Sequence, residues 1–307
     1  MANRILTDVA LLLVVTAHVA AAQQPRLTIE PRQPQSGSLV RLTIDLPSGH
    51  GDSIVHADGA MAGEPLHFRP APQQKLQALG AVPVEVSDSL TVQATVEHRS
   101  GRVDTLVLRL EFPHRPTPVE QARKRAATAS RLRVDARFTR PMDSATAARI
   151  EHENALARSV GRRAHEQPQL WTLPFLRPRP ARVTSRFGRG RVFNGRVSSS
   201  HLGVDYRGST GDPIYAANRG VVALVDTFYL AGNVVYIDHG EGIVTGYFHM
   251  SRPEVAIGDT VERGQEIGRV GATGRVTGPH LHWSARYGAL TIDPADLLSL
   301  GPPFVRR

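Results

Sequence analysis

The chain has 307 residues, of which 41% are hydrophobic and 21% charged, a composition typical of a globular protein with room for about two domains. It contains no cysteine, so disulfides, thiolate metal ligands, cysteine nucleophiles and a cysteine-linked lipid anchor are excluded. The net charge is +9, and the positive excess lies in residues 113–200, which hold 19 Lys+Arg against 6 Asp+Glu. Because cysteine is absent, any metal site must be built from histidine and carboxylate.

The N-terminus predicts a signal peptide. Arg4 precedes an apolar stretch from Val9 to Val15, and the small-x-small sequence ending at Ala22 predicts cleavage before Gln23. The alternative is a membrane anchor or a buried helix. However, the apolar run is shorter than the roughly 20 residues that span a bilayer, and Asp8 beside it would be costly in lipid. We therefore expect an exported protein, periplasmic or extracellular, with no stable membrane anchor after cleavage.

Residues 23–112 predict an antiparallel β-sandwich, because short segments with alternating apolar residues are separated by turn signals. The predicted strands are RLTIEP, SLVRLTIDL, LTVQATVEH and DTLVLRLEF, and the predicted turns are SGHGD, ADGAMAGE and HRSGR. Four histidines here are scattered and expected on the surface or in turns, namely His50, His56, His67 and His98. This region shows no metal or nucleophile pattern.

Residues 113–170 predict a helical connector. TPVE at 117–120 matches a capping box, so a first helix is expected through QARKRAATAS. A second helix is expected over DSATAARIEHENALARSVGRRAH, capped near Asp143 or Ser144 and with Gly161 as a stop signal near its end. The basic charge of this region suits either anionic wall polymers or membrane surfaces, or else a solvated connector without a specific partner. Because export is expected, nucleic acid is not an expected partner.

Residues 171–300 return to β structure and are followed by a short tail, 301–307. The strand candidates are GVVALVD, NVVYIDHG, IVTGYFHM, TVERGQEIGRVG and HLHWSAR. HLGVD within this region places His201 and Asp205 four residues apart, and Gly203 with Val204 makes a helix unfavourable. In an extended strand, His201, Gly203 and Asp205 would face a cleft while Leu202 and the residues at 204 and 206 face the core. The glycine would leave space for a bound ion.

A second pair of histidines lies in GPHLHW, where a strand would direct His280 and His282 to one face and Leu281 to the core. If both bound a metal together with the HLGVD ligands, the site would be closed, as in structural zinc sites. If one did, three ligands would leave a position open for water. His249 in YFHM is a further active-site candidate, whereas His239 in IDHGEG is expected in a turn or on the surface.

HLGVD, YFHM and GPHLHW resemble the motifs of the lysostaphin-type (LytM) zinc metallopeptidases. The connecting sequence GDTVERGQEIGRVGATGRVTGPHLHW is also similar, and the resemblance covers residues 184–297. The upstream part resembles family members with an N-terminal immunoglobulin-like domain and a helical linker. The resemblance implies a mainly β protein whose small antiparallel C-terminal core has a central groove. It also implies hydrolysis of peptide cross-links in bacterial peptidoglycan by a protein associated with the cell wall.

Carried over residue by residue, the resemblance implies that His201, Asp205 and His282 bind zinc, and that His280 and His249 flank the water that zinc activates. The chain has no His-Glu-x-x-His motif to supply a glutamate base, so His280 is expected to orient and deprotonate this water. His249 would assist or would stabilise the oxyanion, and which of the two is the general base stays open. Three alternatives remain: a non-catalytic wall-binding or hydrolase-activating module, a zinc peptidase acting on proteins, and a structural β domain with incidental histidines.

Overall fold

The computed structural model describes residues 24–46, 54–86, 88–112, 129–195 and 197–300. The predicted signal peptide, His50, the SGHGD turn and the C-terminal tail lie outside the described residues, as do the capping box and nearly all of the first connector helix. Within the described part, no helix has the length and hydropathy needed to cross a membrane. The chain is mainly β, as predicted.

The alternating apolar residues of the N-terminal part build two four-stranded antiparallel sheets that share one buried core. The strands are β1 (Arg26–Glu30), β2 (Leu39–Asp45), β3 (Ile54–Met61), β4 (Glu64–Pro65), β5 (Arg69–Ala71), β6 (Lys75–Ala81), β7 (Ser89–His98) and β8 (Val103–Glu111). One sheet has the order β1-β2-β6-β5 and the other β4-β3-β7-β8. Leu42 and Ile44 of the first sheet meet Val92 and Val96 of the second in the core. The immunoglobulin-like assignment of this part stays a prediction.

All four segments predicted as strands in this part are strands, but the ADGAMAGE turn is wrong in most of its length. Residues 57–61 belong to β3, which pairs antiparallel with β7, and only Ala62 and Gly63 form a turn. Gly59 marks close packing between the two strands, since a Cβ there would lie 2.4 Å from the Gln93 carbonyl oxygen. Glycine in this segment therefore reflects a close approach of backbones within a sheet.

The histidines of the N-terminal part are not all on the surface. His56 is exposed and His67 is half-buried, but the expectation for His98 is wrong. Its side chain is 5% exposed, and its Nε2 lies 2.9 Å from a carboxylate oxygen of Asp104 on the neighbouring strand. The carboxylate supplies the polar partner that lets an imidazole be buried at the end of β7.

The C-terminal part is organised around one large antiparallel sheet. The strands of the C-terminal part are β10 (Val183–Ser185), β11 (Gly190–Phe193), β12 (Val197–Ser200), β13 (Val204–Arg207), β14 (Pro213–Tyr215), β15 (Gly220–Phe228), β16 (Gly232–Gly240), β17 (Ile243–Pro253), β18 (Thr260–Val261), β19 (Glu266–Val270), β20 (His280–Tyr287) and β21 (Leu290–Ile292). The main sheet has the order β10-β13-β20-β17-β16-β15-β18, while β14 and β19 pair beside it and β21 extends it at β20. Tyr206, Tyr247, Leu281 and Trp283 are buried together on one face of this sheet. A short helix (Pro294–Leu297) follows the last strand.

The described part of the connector is only partly helical. Strand β9 (Ser130–Leu132) pairs in parallel with β11, a 3-10 turn spans Ala136–Phe138, and α1 spans Ser144–Arg163. The last residue of the predicted first helix, Ser130, is thus a strand residue. The second helix and its cap are confirmed, since the Asp143 carboxylate accepts a 2.7 Å hydrogen bond from the Thr146 amide.

Helix α1 covers the same face of the main sheet as the HLH histidines. Its Ala157 and Val160 pack with Tyr236 and Val244 in one buried cluster. In the strand register, Tyr236 lies opposite residue 246, which in turn lies opposite residue 284, two positions from His282 on the same face. The helix therefore limits how far that face is open beside the histidines.

Gly161 is not a stop signal, because α1 continues to Arg163 and then tightens into a 3-10 turn over Ala164–Glu166. The glycine is a contact point instead. A Cβ at this position would lie 1.8 Å from the carbonyl oxygen of Gly288, in the turn after β20. Gly161 thus allows the helix to approach the sheet backbone closely.

We expect Gly161→Ala to destabilise the protein, although alanine is favoured over glycine by about 1 kcal/mol in an ordinary helix. Relief of the overlap with Gly288 requires movement of helix or turn, which costs about 1–3 kcal/mol. Thermal melting would show a lower midpoint for this variant. Asn154→Ala, on the exposed face of α1, serves as control and should melt at or slightly above the wild-type midpoint. A higher midpoint for Gly161→Ala would contradict the packing role.

Buried polar contacts join the N-terminal sheets to the main sheet. Glu64 accepts a 2.9 Å hydrogen bond from the Ala289 amide, and its second carboxylate oxygen lies 3.0 Å from His165 Nε2. The Tyr287 hydroxyl donates a 2.6 Å hydrogen bond to the Pro65 carbonyl. Glu64 and His165 have side chains only 9% and 8% exposed, so these contacts are shielded from solvent. They fix strand β4 against the end of β20.

Candidate metal centre and active site

Strands β13 and β20 bring the HLGVD and HLH motifs together. They pair antiparallel with Asp205 directly opposite His282, so both side chains project from the same face. Trp283 and Leu281 point to the opposite face and are completely buried there. His201 lies three residues before β13, where its amide donates a 2.8 Å hydrogen bond to the Arg189 carbonyl. The segment before β13 thus places His201 next to the carboxylate of Asp205.

The three side chains His201, Asp205 and His282 meet in a buried triangle. His201 Nε2, Asp205 Oδ1 and His282 Nδ1 are 2.9 Å apart in each of the three pairs. These side chains are 1%, 8% and 11% exposed, respectively. The His282 ring also stacks on Phe248, with 5.2 Å between centroids and 18° between planes. The triangle is therefore largely shielded from solvent, and the His282 ring is packed against Phe248.

Gly203 packs closely against β20. A Cβ at this position would lie 2.5 Å from His282 Nε2 and 2.5 Å from the Trp283 carbonyl oxygen. The glycine therefore leaves room for the His282 ring and the β20 backbone. The expected core position of Leu202 is wrong, since 40% of this residue is exposed, whereas Val204 and Tyr206 are buried as predicted.

The charge of the triangle lies on Asp205. Burial opposes its ionisation, but the contacts with His201 and His282 outweigh that effect and hold the Asp205 pKa well below its usual range. Arg191 on β11 contacts the other carboxylate oxygen and lies 3.3 Å from Ser185 Oγ. Sequence reasoning missed Arg191, because one arginine in a basic segment carries no signal that it faces a carboxylate.

The tautomer of His201 is set by the backbone. Its Nδ1 lies 2.8 Å from the Arg186 carbonyl oxygen, with the Ser185 hydroxyl 3.1 Å away. A carbonyl can only accept, so Nδ1 carries the proton and Nε2 offers its lone pair to the triangle. Such a partner on the outer nitrogen is typical of metal-binding histidines.

His280 lies beside the triangle without joining it. Its Nδ1 donates to the Gly278 carbonyl at 2.9 Å, which leaves the lone pair on Nε2. That Nε2 is buried, lies 3.7 Å from Asp205 Oδ1, and has no hydrogen-bond partner among the residues described. Buried nitrogens without a partner are uncommon and call for an occupant such as water. His280 is thus placed to accept a proton from a molecule bound at the triangle.

His249 completes the group from β17. Its φ is +62°, a left-handed backbone conformation that is unusual for a residue other than glycine. Its Nδ1 donates to the Thr273 carbonyl at 2.8 Å, and its ring lies 4.9 Å from the His280 ring and 5.9 Å from the His282 ring. Burial, together with His280 and His282 nearby, lowers the His249 pKa well below its usual value. The ring is therefore neutral, with its Nε2 as an acceptor.

His239 is not a turn or surface residue, and this expectation is wrong. It is fully buried near the end of β16, where its Nδ1 donates to the Arg219 carbonyl at 2.7 Å and its Nε2 accepts from Thr245 Oγ1 at 2.8 Å. Phe175, from the segment preceding β10, covers the ring edge at 5.1 Å between centroids. Burial lowers the His239 pKa to about 4. Both nitrogens are occupied, so this histidine is structural.

The triangle fits a metal ion. Two imidazole nitrogens and one carboxylate oxygen are a donor set that zinc enzymes use, with a fourth position left for water. Tetrahedral zinc with bonds of 2.0–2.1 Å separates its ligand atoms by about 3.3 Å, close to the spacing observed here. The unpartnered nitrogen of His280 lies next to this site. The chain thus combines a potential metal centre with a neighbouring proton acceptor.

Known proteins are similar in sequence to the part of the chain that contains this site. The profile described as Peptidase family M23 matches residues 199–294. This range includes the triangle of His201, Asp205 and His282, and the neighbouring His249 and His280. Peptidoglycan DD-endopeptidase ShyC of Vibrio cholerae is 44% identical over 104 residues, which are 33% of this chain and 24% of ShyC. DD-carboxypeptidase/endopeptidase Mpg of Neisseria meningitidis is 40% identical over 97 residues, which are 32% of this chain and 22% of Mpg. The chain thus spans about a quarter of the length of these curated relatives.

One solved structure resembles most of the chain. A candidate M23 peptidase of Pseudomonas aeruginosa superposes with a TM-score of 0.61 at 24% sequence identity. The match covers 86% of this chain and 95% of the Pseudomonas chain. The likeness extends beyond the segment matched by the family profile, so the wider arrangement of strands is shared as a fold.

Proposed function

From the match of residues 199–294 to peptidase family M23, we propose that the chain is a zinc-dependent endopeptidase that hydrolyses peptide cross-links in bacterial peptidoglycan. The observation that carries the proposal is the buried triangle of His201, Asp205 and His282 with the free Nε2 of His280 beside it. A purely structural zinc site would use a fourth protein ligand, and a wall-binding module would have no need for a buried proton acceptor at the metal.

We propose that zinc binds at His201 Nε2, Asp205 Oδ1 and His282 Nδ1. When bound, zinc would polarise the scissile carbonyl and lower the pKa of a coordinated water to about 7. Arg191 holds the second oxygen of Asp205, and the Arg186 carbonyl holds the outer nitrogen of His201, so both side chains keep their orientation. This support fixes the donor atoms before the metal arrives.

We assign proton transfer to His280. Its Nε2 takes a proton from the attacking water and returns it to the leaving amine, a role for which its lone pair is free of other partners among the described residues. His249 is neutral and has its Nδ1 proton committed to Thr273, which favours a role as a second acceptor that orients the water. This state does not favour the alternative role of an oxyanion-stabilising imidazolium.

The substrate assignment is supported by the relatives. ShyC is named a peptidoglycan DD-endopeptidase and Mpg a DD-carboxypeptidase/endopeptidase, and both match the segment that contains the site. We propose that this chain likewise acts on cross-linked stem peptides, outside the cytoplasm and in association with the cell wall. The predicted signal peptide agrees with that location.

A digest of cross-linked muropeptides by the purified full chain, followed by mass spectrometry, tests the proposal. We expect dimers to be converted to monomers with addition of one water per cleaved bond. Removal of zinc with a chelator should stop the reaction, and zinc added back should restore it. A chain that binds zinc tightly but leaves every dimer intact would instead be a wall-binding or hydrolase-activating module.

A further inference from the structure

Arg275 lies in the loop of residues 272–279, which contacts both histidines beside the metal triangle. The Thr273 carbonyl accepts from His249, and the Gly278 carbonyl accepts from His280, at 2.8 Å and 2.9 Å. The Arg275 amide donates a 2.8 Å hydrogen bond to the Leu230 carbonyl in the neighbouring turn. The backbone of Arg275 is therefore fixed within a loop that forms part of the site.

The guanidinium of Arg275 is held by an aromatic ring. Its Cζ lies 4.1 Å from the ring centroid of Phe193, a residue of β11 that is 3% exposed. Stacking of this kind stabilises a cation and restricts its rotamers. Arg191, two residues earlier on the same face of β11, contacts Asp205. Arg275 is therefore anchored next to a strand face that reaches the metal triangle.

No acidic side chain neutralises Arg275 within the described ranges, where it forms neither an ion pair nor a side-chain hydrogen bond. Arg191, in contrast, is paired with Asp205. Burial and the nearby charge of Arg191 both lower the Arg275 pKa, as expected for a half-buried cation that lacks an anionic neighbour. A fixed, partly desolvated guanidinium without an anion is arranged to bind one.

We propose that Arg275 binds a free carboxylate of the substrate peptide and so selects stem peptides that carry this group close to the scissile bond. The inference rests on the proposed function for the identity of the ligand. Cross-linked stem peptides offer carboxylates at the C-terminal D-amino acid and on the diamino acid. A guanidinium can engage a carboxylate with two parallel N–H donors, which gives direction as well as strength.

The test measures binding separately from cleavage. A stem-peptide dimer with a non-hydrolysable –CH2–NH– linkage at the cross-link is titrated calorimetrically into the full chain loaded with zinc. Two derivatives are compared with it, one amidated at the C-terminal carboxyl and one at the diamino-acid carboxyl. We expect one of these amidations to weaken binding by about 10- to 100-fold, the range for a lost hydrogen-bonded charge pair. The affected derivative identifies the carboxylate.

Variants connect this preference to Arg275. Arg275→Gln should bind the free acid as weakly as the wild type binds the affected amide, and Arg275→Lys should recover part of the difference. Arg109→Gln removes the same charge from an exposed position in the N-terminal sheets and should leave the preference unchanged. If Arg275→Gln weakens all three peptides equally, or none, Arg275 is structural and the inference is wrong.

The cleavable dimer, assayed in parallel, separates the two proposals. Cleavage without discrimination between acid and amide overturns the carboxylate site and leaves the endopeptidase assignment standing. Discrimination between acid and amide without cleavage overturns the endopeptidase assignment and leaves the carboxylate site standing, because a binding module would then recognise the same carboxylate. The wild-type comparison of acid and amide needs no substitution, so it remains decisive even if a variant fails to fold.

Discussion

His282→Ala is expected to lower the zinc content of the purified chain from about one ion per molecule to near zero and to abolish turnover. The substitution removes one corner of the triangle, and the remaining donors, His201 Nε2 and Asp205 Oδ1, are too few to compete with solvent and buffer. Loss of an outer-sphere partner alone commonly costs 10- to 100-fold in metal affinity, so loss of a ligand should exceed about 100-fold. Elemental analysis after gel filtration measures the retained zinc.

The control for this variant is His56→Ala. It makes the same change at a histidine that is 64% exposed in the N-terminal sheets, so zinc content and turnover should stay at wild-type values. Near-UV circular dichroism would establish that His282→Ala keeps its tertiary structure despite the lost stack on Phe248. Full zinc occupancy in a folded His282→Ala chain would refute the assignment of this ligand.

His280→Ala is expected to keep its zinc and to lose about 100-fold or more in turnover, the usual contribution of a general base. Among the described residues, the ring has one hydrogen bond, to the Gly278 carbonyl, and its Nε2 is 3.7 Å from Asp205 Oδ1. Its removal therefore leaves all three donors in place. The measurements are zinc content and kcat on cross-linked muropeptides, carried out on the same preparation.

The pair of variants decides between an open and a closed metal site. Equal zinc loss in His280→Ala and His282→Ala would mean that both histidines of HLH bind the ion, giving four ligands and no position for water. Zinc loss in His282→Ala alone, together with slow turnover in His280→Ala, agrees with three ligands and a neighbouring base. Wild-type turnover in His280→Ala would transfer the base role to His249.

Periodicity explains what could be predicted from the sequence. Alternation placed Val204, Tyr206 and Leu281 in the core, and the same alternation implied that Asp205 and His282 leave the sheet on the other face. The cap at Asp143 was recognisable because capping is a local interaction. Which strands are neighbours is not local, so the register of Asp205 against His282 rested on the family resemblance and became visible only in the sheet.

Contacts between distant segments explain what could not be predicted. His239 lies beside an apparent turn, yet the segment before β10 folds over it and buries it. Gly161 follows the pattern of a helix stop, yet its neighbour is a backbone turn 127 positions later in the chain, at Gly288. In the sequence, nothing distinguishes Arg191 and Arg275 from the many other arginines of this basic protein. Their partners, Asp205 and Phe193, are visible only in the structure. In each case the deciding atom belongs to another part of the sequence.

The left-handed backbone conformation of His249 lowers the stability of the fold, but it places the His249 ring beside His280. A non-glycine residue in that region of φ costs about 1–3 kcal/mol, so glycine at position 249 would relax the backbone while deleting a ring that contacts His280. The same substitution would leave a cavity where the ring, which is 7% exposed, now packs, and would remove its hydrogen bond to the Thr273 carbonyl. Directed evolution at this position therefore needs the proposed peptidase activity as a second selection criterion beside heat tolerance.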